Sequence, residues 1–352
     1  MSPIVKFSFI FTITLGTTIT FMSSNWLLAW IGLELNTLAI IPLMTLNHHP
    51  RSTEAAAKYF LIQSAGAALL LFASALNAFM VGTWDIAHAK DYSATILITA
   101  ALALKMGLAP LHLWLPEIMQ GLDLLTGLIL TTWQKLAPLA LLLQISHTLH
   151  PTLLMWAALL SVMLGGWGGL NQTELRKILA YSSTAHLGWV IIIIQYAPHL
   201  ALMTLGIYIL STMAAFLTLD ELSSTKTNLF TQSWTKKPVI TVTMLFILLS
   251  LAGLPPLSGF MPKWLILEEL SKQNMTVIAT FLVISSLISY FFYMRLCYFS
   301  TMTVFPTTPA IKIYWPRQTS GTPIYTAIAS AATLVLLPIL PFTKALTTLF
   351  FM

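Results

Sequence analysis

Cysteine is nearly absent from this chain: Cys297 stands alone among 352 residues. A single thiol excludes a disulfide framework, a cysteine-ligated iron–sulfur cluster and a multi-thiolate zinc site, so electron carriers, if there are any, must sit on other chains. Charge is scarce as well. Only 8% of the residues are Asp, Glu, Lys or Arg, against 57% hydrophobic, and the mean hydropathy of +0.83 lies far above that of soluble domains. There is no Gly-rich phosphate loop followed by Lys-Ser/Thr, no dinucleotide fingerprint after a strand and no HExxH motif. Basic residues form no aromatic-interleaved patch, so nucleic acid is not an expected partner. His48 and His49, in a polar loop beside Pro50 and Arg51, make a weak metal candidate.

What the chain does have is a series of long apolar runs. They are continuous rather than alternating, which selects transmembrane helices over the strands of a barrel. A chain of 352 residues has room for roughly ten to fourteen spans of about 20 residues. Apolar windows bounded by polar, Pro or Gly clusters predict spans near 3–22, 25–46, 54–82, 93–119, 124–146, 151–170, 174–196, 199–218, 238–270, 275–298 and 322–347. The expected fold class is an all-α polytopic membrane protein with about eleven transmembrane helices. The windows 54–82 and 238–270 exceed the bilayer thickness, so tilt, a break or protrusion is expected in each. The N-terminal run carries Lys6 and an apolar core with no small-residue cleavage site after it, and it reads as a retained first span. An Arg-rich amphipathic transit sequence is also missing, so if the protein works in an organelle it is expected to be made there.

The basic residues orient these spans. Lys6, Arg51, Lys58, Arg176, Lys177, Lys226, Lys236, Lys237, Arg295, Lys312 and Arg317 fall on the N-terminal side of the alternating loops. Only Lys90, Lys272 and Lys344 fall on the other side, which predicts an N-terminus facing inward. The basic excess is thus a topology signal.

The stretch 101–120, ALALKMGLAPLHLWLPEIMQ, departs most from an ordinary span. Pro110 cannot donate a backbone hydrogen bond and its ring crowds the preceding turn, so a broken helix is expected, with carbonyls near Lys105 and Met106 losing their partners. Such a break is tolerated at membrane depth only against other helices or an internal wet cavity, and Lys105 and His112 flank it. GLAPLHLWLPE aligns without a gap with GLPPLSGFMPK further on. Gly107, Leu108, Pro110, Leu111 and Pro116 match Gly253, Leu254, Pro256, Leu257 and Pro262. Each window lies in the fourth span of a five-span block, and because five is odd the second block must run inverted, with broken helices near Pro110 and Pro256. The domains expected are a first five-helix repeat at 1–146, a second, inverted one at 147–298, and a loop with a C-terminal transmembrane helix at 299–352.

Four charges fall inside the spans: Glu34 in LLAWIGLELNTLAIIPL, Lys105, Lys135 in LTTWQKLAPLALLL ahead of Pro138, and Lys263 after Gly259. A lone charge there is costly unless paired or neutralised. Burial raises the pKa of a carboxylate and lowers that of a lysine, so such groups gain and lose protons near neutral pH. All four are candidate proton carriers, with His112 and His186 in AYSSTAHLGW as hydrated intermediaries. Structural alternatives stand beside each role. Lys135 could snorkel, Glu34 and Lys105 could form a fixed ion pair, Lys263 could lie near a helix end, and the two histidines could be packing residues. Glu117, Glu268 and Glu269 read as interfacial solvated charges, and Gly165-Gly166 with Gly168-Gly169 as small-residue helix packing.

Taken together, WIGLELN with Glu34, ALKMGLAPLHLWLPE with Lys105 and His112, WQKLAP with Lys135, RKILAYSSTAHLGW with His186 and LAGLPPLSGFMPKW with Lys263 resemble the antiporter-like membrane subunits of respiratory NADH–quinone oxidoreductase. The resemblance covers essentially the whole chain. It implies a proton channel built on two inverted five-helix repeats, with Glu34, Lys105, Lys135 and Lys263 on a mid-membrane charged axis. It further implies a mitochondrial inner-membrane location with the basic loops and N-terminus on the matrix side. Implied partners are the other subunits of the complex and membrane lipids, cardiolipin among the candidates. NAD, FMN, iron–sulfur clusters and ubiquinone are implied on partner subunits, and no cofactor on this chain. Bacterial members carry three further helices ahead of the one resembling the first span here, whereas Met1 opens that helix directly, as in animal mitochondrial members; other subunits or lipids would have to cover the surface so exposed. A free-standing cation/proton antiporter is the alternative, although a Na⁺ site would favour clustered oxygen ligands over lysines.

Overall fold

The computed structural model describes residues 2–302, apart from Asn47 and Lys90, together with 323–335 and Ala345. Of the expected features, Lys90, Lys312, Arg317, Lys344 and most of the window 322–347 lie outside the described residues. The chain divides into two compact units, Met1–Ser161 and Val162–Met352. Helices dominate, and among the described residues no strand is formed.

The first unit begins with α1 (Pro3–Met22), α2 (Trp26–Met44) and α3 (Pro50–Val81). Pro3 and Pro50 open their helices at the first turn, where a missing N–H costs nothing, and the His49 ring accepts from the Arg51 amide at 3.2 Å to cap α3. The α3 helix is unbroken over 32 residues, longer than the roughly 30 Å of a hydrocarbon core at about 1.5 Å per residue. Arg51, Glu54 and Lys58 occupy its first turns, so protrusion of a polar end resolves the excess length expected there. α4 (Tyr92–Met106) and α5 (Trp114–Gly121) replace the single span expected over 93–119. α6 (Leu124–Thr131), a 3₁₀ turn at Trp133–Lys135 and α7 (Leu136–Gln144) replace the span expected over 124–146.

α8 (Pro151–Gly169) contains the boundary between the units. The second unit continues with α9 (Leu175–Ile194), α10 (Pro198–Glu221), α11 (Thr227–Lys236), α12 (Pro238–Ala252), α13 (Phe260–Lys272), α14 (Thr276–Met302) and α15 (Pro323–Val335). The window 238–270 is thus two helices, α12 and α13. The short polar helix α11 lies in a connection where no span was expected. Gly165 lies against Thr184 and Ala185 of α9, and Gly166 and Gly169 lie against Ser285 and Phe292 of α14, the close packing that small residues permit. Arg295 of α14 donates to the carbonyls of Leu170 and Gln172 beyond the end of α8.

Among the described residues, eight helical segments are long and apolar enough to cross a membrane, with α4 and α12 shorter but also apolar. The chain is therefore a multi-pass membrane protein. Each unit also ties two of its loops together by backbone. In the first, Trp26 donates to Trp84 at 3.1 Å and Ile86 to Ser24 at 2.9 Å; in the second, Leu175 donates to Thr225 and Thr227 to Thr173, both at 3.0 Å.

Candidate functional site

Both broken helices end in the same way, and glycine rather than proline ends them. Gly107 and Gly253 take the left-handed conformation, with φ of 77° and 83°. Leu108 then donates back to Ala103 at 2.9 Å and Leu254 to Leu249 at 3.2 Å, each closing a Schellman turn over the last carbonyls. Pro110 and Pro256 come after the stop, where proline is common because the helix cannot continue. The expectation that Pro110 itself breaks the helix is corrected accordingly: α4 has already ended at Met106. Carbonyls at each stop also receive side-chain donors. The Trp114 indole Nε1 donates to Leu104 at 3.1 Å, and Lys263 Nζ donates to Ala252 at 2.8 Å.

The break between α6 and α7 has another origin. The Thr131 and Thr132 hydroxyls bond back to carbonyls one turn earlier, at Gly127 and Leu128, a pattern that bends helices. Pro138 has no N–H to offer to residue 134. The backbone between them tightens into the 3₁₀ turn that ends at Lys135. Gln134 Nε2 donates to the Asn36 carbonyl at 3.3 Å and so fastens this turn to α2.

These interruptions bring Lys105 and Lys135 to one place. Lys105 sits in the last turn of α4 at 5% exposure, and Lys135 is 2% exposed. Both line a cavity of about 10 Å³, together with Tyr59 and Gln63 of α3, Asn36 of α2, and Gln134. The Lys105 stem packs against Gly66, where a Cβ would come within 3.3 Å of it. Glu34 of α2 is partly buried and acts electrostatically on both Lys105 and Tyr59. Yet Lys105 Nζ and Glu34 Oε2 have no hydrogen-bond partner among the described residues. The two are coupled without touching, which is not the geometry of a fixed contact ion pair.

His112 is buried in the turn after α4, where its ring donates to the Pro110 carbonyl; it is not among the residues lining the cavity. In the second unit, Lys263 and His186 share a cavity of about 30 Å³ with Thr204, Tyr208, Ser211 and Ser250. The His186 ring lies 5.4 Å from that of Tyr208, whose hydroxyl is hydrogen-bonded with Ser183. Lys263 also lines a larger, mainly apolar groove of about 710 Å³ with Trp189, Trp264 and Tyr290.

Glu117 is exposed and pairs with Lys58 at 3.2 Å, and Glu268 pairs with Lys272 at 2.7 Å, as expected of interfacial charges. The sequence reading missed Tyr59, Asn36, Gln63, Gln134 and Tyr208. Their only signal was an uncharged polar group inside an apolar run, and Tyr59 and Gln63 stand four residues apart on one face of α3.

Residues 23–289 match the family model described as NADH:quinone oxidoreductase/Mrp antiporter, transmembrane, and residues 290–343 match that of the NADH dehydrogenase subunit 2 C-terminus. The chain is 55% identical to the NADH-ubiquinone oxidoreductase chain 2 of Carassius auratus and to that of Cyprinus carpio, over 99% of its own length and 100% of theirs. It is also similar to a chain in the solved structure of respiratory complex I from Thermus thermophilus with bound aureothin. There the identity is 26% and the TM-score 0.80, covering 96% of this chain and 79% of that one. Family match and identity over nearly full length agree, and the chain belongs to the NADH-ubiquinone oxidoreductase chain 2 family of antiporter-like membrane subunits.

Proposed function

We propose that this chain is a core membrane subunit of the proton-translocating NADH:ubiquinone oxidoreductase. It carries protons through a relay of Glu34, Lys105, Lys135 and Lys263, with His112 and His186 beside it, while partner subunits transfer the electrons. Membership of the chain 2 family carries the subunit role and favours it over a free-standing cation/proton antiporter. The observation that supports the relay is the cavity that Lys105 and Lys135 share: two buried lysines line one small space, and Glu34 influences Lys105 without a hydrogen bond between them. A fixed salt bridge would consume that charge; a coupled but uncommitted lysine can pass a proton on.

The finer reading follows the family. The chain sits in the mitochondrial inner membrane with its N-terminus in the matrix, touching other subunits of the complex and lipids, including cardiolipin. NAD, FMN, iron–sulfur clusters and ubiquinone belong to the partners. The five-helix repeats at 1–146 and 147–298, followed by 299–352, are supported by the matched Schellman stops at Gly107 and Gly253 and by the loop pairings found in each unit.

Lys105 provides the test. A relay lysine must release its proton during the cycle, and an ammonium can do so, whereas a guanidinium stays charged in proteins. Lys105→Met should stop proton translocation in an assembled complex. Lys105→Arg separates the two roles: it should also fail as a relay, whereas a structural partner of Glu34 would be rescued. Protons moved per NADH oxidised, in membranes with assembly checked independently, is the measurement. Near-normal translocation in Lys105→Arg removes Lys105 from the relay.

A further inference from the structure

Ser258 lies in the turn that joins α12 to α13, at 1% exposure, and in the alignment of the two breaks it stands opposite His112. The two residues are used differently. His112 donates within its own turn, to the Pro110 carbonyl, whereas the Ser258 hydroxyl donates to the Thr333 carbonyl of α15 at 2.6 Å, across 75 residues of sequence. Buried hydroxyls on the adjoining helices turn back on themselves instead: Ser250 donates to Ile247 at 2.7 Å and Thr333 to Ser330 at 2.8 Å. α15 comes after both proposed repeats in the chain and packs against α10 and α12. It is also held independently of the turn, because Thr326 donates to the Glu221 carboxylate at the end of α10 at 2.8 Å. A helix fixed elsewhere can serve as an anchor for the turn.

The turn leads directly to Lys263. Its own backbone bonds are local, from Leu257 to Leu254 at 2.9 Å and from Phe260 to Leu257 at 3.1 Å. Gly259, next to Ser258, rests on the Ser250 carbonyl, with which any Cβ would collide. Four residues further on, in the first turn of α13, Lys263 reaches the Ala252 carbonyl at 2.8 Å. Gly259, Pro262 and Lys263 all line the cavity that holds His186. Movement at Ser258 would therefore lift Gly259 from α12 and draw Lys263 off its carbonyl. We propose that Ser258 is a positioning residue for Lys263: its hydrogen bond to α15 fixes the turn, so a helix outside the proposed repeats sets where the lysine of the second break stands. The anchor rests on this geometry alone; its effect on proton transfer rests on the relay reading above.

The test uses the intact complex in its membrane, with assembly and NADH oxidation followed beside proton translocation, and high-resolution maps of each variant. Ser258→Ala removes the donor, and Ser258→Thr keeps a hydroxyl at the same position. In assembled Ser258→Ala, Lys263 Nζ should leave the Ala252 carbonyl while Thr326 stays on Glu221. Protons moved per NADH should fall at least about threefold, the scale of one interhelical hydrogen bond in a membrane protein. Ser258→Thr should restore both. Lys263 unmoved in the Ser258→Ala map overturns the proposal, whatever the translocation. Equal losses in both variants, tracking reduced assembly, overturn it too by making Ser258 a packing residue. Lys263→Met separates the remaining outcomes. Lys263 displaced and translocation normal in Ser258→Ala, with translocation lost in Lys263→Met, overturns the positioning role and leaves the relay standing. Normal translocation in Lys263→Met as well removes Lys263 from the relay, and its displacement in Ser258→Ala then supports the anchor alone.

Discussion

Lys105 and Lys263 both sit at a broken helix, but they are held in different ways. Lys105 belongs to the helix that stops and has no hydrogen-bond partner among the described residues, whereas Lys263 reaches back from beyond the stop to the Ala252 carbonyl. In the alignment of the two breaks Lys263 stands opposite Glu117, not Lys105, so the repeat preserves the backbone stop and not the placement of charge. Gly253 is the residue against which Lys263 rests: a Cβ there would lie 2.9 Å from Nζ, on a backbone at φ 83°. Gly253→Ala should therefore displace the lysine and cost roughly 1–2 kcal/mol of stability from the left-handed backbone alone. Gly206→Ala, with nothing among the described residues within 4 Å of the added Cβ, is the control and should hold or slightly raise stability. Thermal unfolding of the purified complex, with proton translocation followed alongside, checks both.

At the scale of elements, interruptions position the chemistry. Pro138→Ala restores an N–H that can reach the carbonyl of Gln134, which should straighten the 3₁₀ turn and swing Lys135 away from the cavity. Translocation should fall while assembly persists, and a map of the variant should show continuous helix through 133–135. α4 is fixed at its other end by Asp91, outside the membrane span. The Ser93 hydroxyl and then the Ala94 amide, the latter at 2.9 Å, hold the Asp91 carboxyl below its usual range. Because the folded value is depressed, the stabilisation is complete above the unfolded value near 3.9 and is lost as pH falls through the folded one. Amide exchange in the first turn of α4 should therefore accelerate below about pH 4 after correction for intrinsic rates, and Asp91→Asn, a cap that does not titrate, should remove that step.

The whole molecule offers a topological outcome. The backbone pairs the loop before α9 with the loop before α11, placing Arg176, Lys177 and Lys226 near one end of the second unit. On the proposed orientation, with the basic loops in the matrix, cysteines placed at Gln172 and Ser223 in a Cys297→Ser background should react with impermeant maleimide only from that side. Cysteines at His88 and Asn274 should react only from the opposite side. Gln172 labelling together with His88 would refute the orientation.

Run length, the scarcity of charge and the few charges inside apolar windows were legible in the sequence because they are local quantities set against a fixed bilayer thickness. The sequence by itself therefore determined a multi-pass helical protein and singled out Glu34, Lys105, Lys135 and Lys263. It did not reveal that Gly107 rather than Pro110 ends α4, since a left-handed residue is a property of backbone conformation. Nor did it reveal that Lys105 and Lys135 share a cavity with Asn36 while His112 lies outside its lining. Helices that are apolar on every side show no preferred face in their sequence. Only tertiary packing, through close approaches such as that of Asn36 to Gly16, decides which polar side chains end up together.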